Sequence, residues 1–201
     1  GMMGREHIRN LAQIDAVDVV AIADPHDGSR QAARKACAGH FSPQCYERYD
    51  DLLARDDVDA VVIATPNHTH HSVLTAVFQT DKHVLLEKPL ATTMADCNAL
   101  VAQAQRHRGL VWVALEYRYM APIAKTIELL PQLGAIHMCA IREHRFPFLH
   151  KVGAWNRFNR YSGGTLVEKC CHFFDLMNLM VPSMPRRVMA SGGQNVNHLQ
   201  E

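Results

Sequence analysis

Lys88 stands between Glu87 and Pro89, at the point where the short apolar run Val84, Leu85, Leu86 stops. Charge that begins where a buried strand ends faces the ligand crevice of an open α/β sheet, so Glu87, Lys88 and Pro89 are placed to meet whatever binds there. A lysine becomes a base only when its pKa falls from about 10.4 toward neutrality, which burial and a neighbouring cation both promote. An isolated Glu-Lys-Pro can equally be a strand end reaching solvent, so the flanking sequence has to decide. Further on, Glu168 and His172 are four residues apart and His172 and Asp175 three, so a helix there presents carboxylate, imidazole and carboxylate on one face. His172, with an ordinary pKa of about 6.5, suits sharing a proton or passing it on. The same acid and imidazole at helical spacing could bind zinc, but the nearby thiols of Cys170 and Cys171 are adjacent and point apart on a helix. A hydrogen-bonded core histidine also fits so apolar a segment.

A second set of residues points to a dinucleotide. Gly1-Met2-Met3-Gly4 runs into Arg5 and Glu6, and Asp24 follows a β-branched run at the interval expected between the last glycine of a dinucleotide fingerprint and the acid that binds the adenosine ribose. On that reading Gly1 lets the backbone approach the pyrophosphate, Gly4 lets the helix pack close to the sheet, and the phosphates sit on the helix N-terminus. The first glycine would then lie upstream of Gly1, on a preceding strand. A flexible terminal segment is the bland explanation of the same four residues. Asp24 favours NAD over NADP, because a carboxylate accepts hydrogen bonds from a ribose diol and repels a 2′-phosphate; Arg30, close in sequence, qualifies that preference. Thr65, Pro66, Asn67 and His70 close another strand end, a loop suited to wrapping a ligand with backbone groups and the Asn67 amide. His68, His70 and His71 invite a metal, yet they open a helix with no acid or cysteine at ligand spacing, and no metal site is expected.

The elements that must position these groups alternate strictly in the first 120 residues. Strands are expected at residues 17–23, 59–64, 83–86 and 110–115, and helices at 28–38, from Asp50 as N-cap, at 72–79, and from a Thr92-Thr93 cap to Arg108, closed by Gly109. That alternation is the mark of a Rossmann-type, doubly wound parallel sheet, here without its first strand. Beyond it the pattern changes: a helix over 121–133, a strand with alternate polar positions over 136–145, an irregular stretch to 163, one apolar helix over 164–177, and a strand from 187 to 190. The expected organisation is a dinucleotide-binding domain over residues 1–118 and part of an α+β domain with a mostly antiparallel sheet over 119–201.

Composition narrows the partners. The net charge is +1 with signs interspersed, giving no electrostatic reason to expect nucleic acid or anionic lipid. No apolar run approaches the roughly 20 residues a membrane-spanning helix needs. The first 30 residues hold Arg5, Glu6, His7 and Arg9 in place of an uninterrupted apolar segment, so no signal peptide and a cytoplasmic location are expected. Six cysteines without a CxxC pair read as reduced thiols.

Taken in order, G-M-M-G, Asp24, A-T-P-N-H-T-H, E-K-P and G-G-T-L-V-E-K-C-C-H-F-F-D resemble the glucose-fructose oxidoreductase, inositol dehydrogenase and MocA (Gfo/Idh/MocA) family of nicotinamide-dependent sugar and polyol dehydrogenases. The resemblance implies that Lys88 and His172 are the catalytic pair and that Glu168, at a position usually held by Asp, meets a substrate hydroxyl. Arg118 and Pro122 match family positions, while Glu116-Tyr117 stands where many members have Asn, so the substrate cannot be copied from a relative. Trp155, Asn156, Arg157 and Tyr161 are further candidates for substrate contact. The implied activity is hydride transfer between a sugar, inositol or related polyol and NAD, in a protein that is a homo-oligomer at full length. Two other readings are a non-catalytic binding module retaining part of the fold and a metal-assisted hydrolase using Glu168 and His172. The chain is also expected to be truncated at both ends, and as it stands a poor enzyme with an unpaired gap in its sheet.

Overall fold

The structure is a computed structural model describing residues 1–144 and 149–193. Its first part alternates as the sequence predicts, with a strand, β2, in the stretch before Tyr46 where no strand bounds are expected: α1 (Met2–Leu11), β1 (Ala21–Ala23), α2 (Asp27–Cys37), β2 (Gln44–Tyr46), α3 (Tyr49–Leu53), β3 (Ala60–Ile63), α4 (His70–Val77), β4 (His83–Glu87), α5 (Met94–Ala104) and β5 (Val111–Ala114). All pairings are parallel, in two separate pieces: β1 with β2, and β3-β4-β5 with β4 central. Among the described residues no ladder joins β1 to β3; α1 packs on both α2 and β3.

The larger piece owns the main core. Ile63, Val84 and Leu86 from the strands meet Val73, Leu74 and Val77 of α4 and Leu100 of α5. Central β4 is buried from Val84 through Glu87 except at Leu85, which is half-buried, as a strand covered on both faces must be. A smaller cluster, Ile8, Ala33 and Cys37, holds α1 and α2 together. The α5 terminus is capped as expected: Asp96 N–H donates to Thr93 Oγ1 at 3.1 Å, and the Thr93 hydroxyl donates to the Asp96 carboxylate at 2.7 Å. Gly109 serves a close approach rather than a helix cap, since α5 already ends at Ala104 and a Cβ at 109 would lie 2.5 Å from the Lys82 carbonyl oxygen.

Several boundaries move. Asp50 is not the cap of α3: Arg48 is, and Asp50 sits in the first turn, paired with Arg48 at 2.6 Å. The strand expected over 17–23 is ordered as a ladder only where β2 lies beside it. In the second part, α6 (Ala121–Leu133) has the predicted bounds, and a short 3₁₀ segment (Val152–Arg157), α7 (Asn159–Ser162), α8 (Gly164–Glu168) and α9 (Cys171–Met180) follow. Residues 136–144 and 187–190 form no strand, because among the described residues no neighbouring strand offers them a ladder; Arg145 lies outside the described residues. The single helix expected over 164–177 is two. At the junction both Lys169 and Cys170 N–H groups turn to Thr165 O, at 2.9 and 3.1 Å, which widens the last turn and swings Lys169 inward. Glu168 and His172 therefore do not share the expected helical face.

Candidate active site

The dinucleotide residues lie at the head of α1. Gly1 is its N-cap, Met2 and Met3 form its first turn, and Gly1 N is 3.5 Å from Asp24 Oδ2 at the end of β1. A Cβ on Gly1 would meet nothing within 4 Å, so open space lies over the helix start. Gly4 is less confined than expected: its Cβ would stand 3.8 Å from that of Ala64, ordinary contact. The other oxygen of Asp24 accepts from His26 N–H at 2.9 Å. Arg30 is spent on its own turn, donating to Asp24 O at 2.7 Å and Pro25 O at 3.1 Å and pairing with Asp27 at 3.0 Å. An exposed backbone, a helix N-terminus and an acid whose carboxylate meets no guanidinium among the described residues fit an NAD ribose and pyrophosphate better than a 2′-phosphate.

The ends of β3 and β4 are tied to each other and to the second part of the chain. His70 is fully buried, with Nδ1 2.7 Å from Pro89 O and Nε2 3.0 Å from Thr65 O, so it joins the two loops instead of facing a ligand; burial pushes it below the ordinary histidine range. Thr65 Oγ1 accepts from the Thr69 hydroxyl at 2.9 Å, and Pro66 caps the 3₁₀ turn that leads into α4. Asn67, expected to offer its amide to a ligand, is buried and donates from Nδ2 to Ser162 O of α7 at 2.9 Å. His68 packs on the rings of Tyr161 and Trp155, and His71 approaches Asp96 at 3.9 Å, so the three histidines face three different environments. Glu87 is buried and bonded to His7 Nε2 at 2.8 Å, which fastens α1 to the E-K-P loop. Lys88 Nζ donates to Glu168 O, the last residue of α8, at 2.9 Å.

Around that contact the second part presents an unusual set of buried polar side chains. His172 is 2% exposed, its Nε2 is 3.6 Å from Glu116 Oε1, and its Nδ1 is buried with no hydrogen-bond partner among the described residues. The ring of Tyr117 lies flat against the imidazole, centroids 4.1 Å apart and planes 10° apart. Burial first, then the positive charges of Lys88 and Lys169, push His172 down to about 4. Glu116, at the mouth, is pushed above the usual carboxylate range chiefly by partial burial. The Glu168 carboxylate pairs with Lys151 at 3.6 Å; Lys151 Nζ also lies 4.4 Å over the Trp155 ring, and burial lowers its pKa. Arg118 holds both oxygens of Asp175, so neither end of that pair is open in the way the sequence suggests. Asn156 donates to Leu149 O at 3.0 Å, and Arg157 lies 3.4 Å from His150.

Sequence reasoning thus finds Lys88, Glu168 and His172 in one place. It misses Lys169, Lys151 and His7. The signal for Lys169 is a charged residue inside an apolar run, L-V-E-K-C-C-H-F-F; for His7 there is none, because its partner is far along the chain. All six cysteines are free thiols, and burial pushes Cys37, Cys97, Cys170 and Cys171 upward, away from nucleophilic use.

Comparison with known proteins gives this geometry its family. Residues 1–115 match the pattern of the Gfo/Idh/MocA oxidoreductases described as "oxidoreductase family, NAD-binding Rossmann fold", and residues 128–201 match the same family's C-terminal alpha/beta domain. The chain is 27% identical over 204 aligned residues to 2,7-anhydro-N-acetylneuraminate hydratase of Mediterraneibacter gnavus, covering 100% of this chain and 52% of the relative. It is 36% identical over 121 residues to inositol 2-dehydrogenase of Salmonella typhimurium, covering 59% of this chain and 35% of that protein. Among solved structures it resembles the WlbA dehydrogenase of Bordetella pertussis in complex with NADH and UDP-GlcNAcA, with a TM-score of 0.75, 26% identity, and coverage of 90% of this chain and 54% of that one. Scyllo-inositol dehydrogenase of Lactobacillus casei shares the fold, with a TM-score of 0.71 at 20% identity over 90% of this chain and 52% of that one. The chain spans about half the length, or less, of the relatives it matches. An E-K-P loop on the central strand, a buried histidine facing it and matches to both family domains establish that the chain belongs to the Gfo/Idh/MocA oxidoreductase family.

Proposed function

We propose that this chain serves an NAD-dependent oxidoreductase moving a hydride between a secondary alcohol of a sugar, inositol or related polyol and the nicotinamide ring. Residues 1–118 hold the cofactor and 119–201 contribute to the substrate side. Bound NAD supplies the hydride acceptor. Gly1, Met2, Met3 and Gly4 offer the helix N-terminus to its phosphates, Asp24 accepts from its ribose, and the Thr65–Pro66 and E-K-P loops flank the crevice.

The observation that carries the reading is that Lys88 Nζ reaches the main chain four residues before the buried His172. Lys88 Nζ bonds the carbonyl of Glu168, and its charge is among the causes that depress His172. An alcohol that loses hydride must also lose its hydroxyl proton, and the groups that receive it must have a free lone pair in the working pH range. A neutral imidazole has one at all pH values above about 4. Lys88 Nζ steadies the oxygen as negative charge grows on it, and the hydroxyl proton passes to the free lone pair of His172. The lysine is thus less a lone base than half of a pair. Trp155, Arg157, Arg118 and the Glu168–Lys151 pair border the substrate space. Among the described residues no helix is long and apolar enough to cross a membrane, and a cytoplasmic, homo-oligomeric enzyme acting on a small molecule is the setting proposed.

The test is calorimetric titration with NAD and NADP, followed by turnover on a panel of inositols, hexoses and uronic acids, for wild type and Lys88→Ala. NAD binding with polyol turnover that falls about 10²–10⁴-fold in the variant, at unchanged NAD affinity, is expected. NAD binding without turnover on any substrate would favour the non-catalytic module, and equal use of NADP would remove the argument from Asp24 and Arg30.

A further inference from the structure

Lys169 is a buried cation that the chemistry above does not use. It is 6% exposed, and a charge taken so far from water needs partners to justify it. Its Nζ donates to the Tyr117 hydroxyl, stands 3.2 Å from Glu143 Oε1, and lies 5.6 Å over the ring of Phe173. The Tyr117 hydroxyl in turn donates to Glu143 Oε1 at 3.3 Å, closing a triangle of hydroxyl, ammonium and carboxylate. Tyr117 is thereby pinned at its far end while its ring face covers the imidazole of His172.

We propose that Lys169, acting through Tyr117, is a positioning residue for His172: it fixes the plane of the imidazole and sets the electrostatic field in which that ring works. This rests on the reading of His172 as half of the catalytic pair. Two independent features support it. The first is geometric: a nearly parallel stack 4.1 Å apart leaves the imidazole no room to rotate about its own axis without displacing the tyrosine, and the tyrosine cannot swing while its hydroxyl is held from two sides. The second is the break between α8 and α9, which turns the Lys169 side chain inward to reach Tyr117; a continuous helix would carry it elsewhere. The groups that face His172 are Lys88 from the loop after β4, Lys169, Glu87, Asp175, and Glu116 beside Nε2, with the neighbouring Cys171 thiol kept neutral by burial. Lys88 and Lys169 act against a charged imidazole, and Glu87 and Asp175 act for it. Removing Lys169 therefore tips the balance toward imidazolium.

The experiment follows the His172 ring carbon by NMR, in protein labelled at histidine and assigned with His172→Gln, across pH 4 to 8, beside the pH profiles of kcat and kcat/KM. In wild type His172 should stay neutral to the acid end of the range. Lys169→Met should raise its midpoint by about one unit or more, while Lys169→Arg, which keeps the charge, should leave it near the wild-type value. Tyr117→Phe keeps the stack and releases the anchor; it should lower kcat several-fold at unchanged NAD affinity and move the acid limb of the profile. It decides the question should Lys169→Met fail to fold. A His172 midpoint and pH profile equal to wild type in folded Lys169→Met, or in Tyr117→Phe, would reduce Lys169 to a structural ion pair with Glu143 and overturn the proposal. The NMR titration is independent of turnover, so an enzyme inactive on every polyol would sink the proposed function and still leave the positioning role decided.

Discussion

The three-stranded sheet and the segment that faces it bury polar and apolar side chains in very different proportions. Between Ile63 and Leu100 the core cluster is hydrocarbon, Ile63, Val73, Leu74, Val77, Val84, Leu86, Ala91 and Leu100, and the buried polar side chains of that stretch, Asn67, His70 and Glu87, lie at or just after the ends of β3 and β4. Between Asn156 and Leu176 the buried side chains are Asn156, Ser162, Glu168, Lys169 and His172, with Leu176 the one buried hydrophobic side chain among the described residues there. Hydrocarbon burial stabilises a fold at roughly 25 cal/mol per Å² and asks nothing of its neighbours, whereas each buried polar group needs a partner or costs about 1–3 kcal/mol. The first region holds the site; the second is held in place so that it can act.

The comparison can be broken in four ways. The largest effect should come from the hydrocarbon side. Leu74 is fully buried, and Leu74→Ala should lower the unfolding free energy in urea by about 2–5 kcal/mol. A loss no larger than that of an exposed leucine such as Leu110→Ala would show that the sheet is not the stabilising half.

The second effect belongs to the polar side and is a pH effect. His172 is depressed to about 4 and His70 is also lowered, so over the interval from about 6.5 down to 4 the unfolded chain binds protons that the folded chain refuses. Stability is then complete above pH 6.5 and lost as the pH falls toward 4, by roughly 3 kcal/mol for His172 alone. His172→Gln should flatten this acid slope in urea titrations at pH 7 and pH 5. An unaltered slope would move the titrating group elsewhere.

Next comes the seam between the regions. Asn67→Ala removes the 2.9 Å bond to Ser162 O and leaves that carbonyl buried, which should cost about 1–3 kcal/mol and speed amide exchange in α7 more than in β4. Equal exchange in both elements would mean that the seam is held by other contacts. The smallest effect should lie outside both regions: Lys125 pairs with Glu128 at 2.6 Å on the open face of α6, and Lys125→Ala should shift stability by less than about 0.5 kcal/mol.

Local signals were legible in the sequence and distant ones were not. The Thr93 cap, the bounds of α6 and the end of β4 depend on neighbours within a few positions; the first two are where the residues place them, and β4 ends at Glu87, one residue beyond the expected bound. Residues 136–144 have a strand's alternation and no strand, because alternation describes one chain while a ladder needs two. The helix over 164–177 has continuous apolar character, yet it breaks where Lys169 turns to Tyr117, a partner 52 positions away. His7 with Glu87 and Lys88 with Glu168 O, each 80 positions apart, are invisible to any window of sequence. The position of Lys88 could be read; the residue that holds it could not.

Two of the fastenings from the cofactor side to the segment opposite, Asn67 to Ser162 and Lys88 to Glu168, end on main-chain oxygens. Every amino acid carries that oxygen. A change of side chain at 168 therefore leaves in place the oxygen on which Lys88 closes, and the joint between the two halves keeps its register.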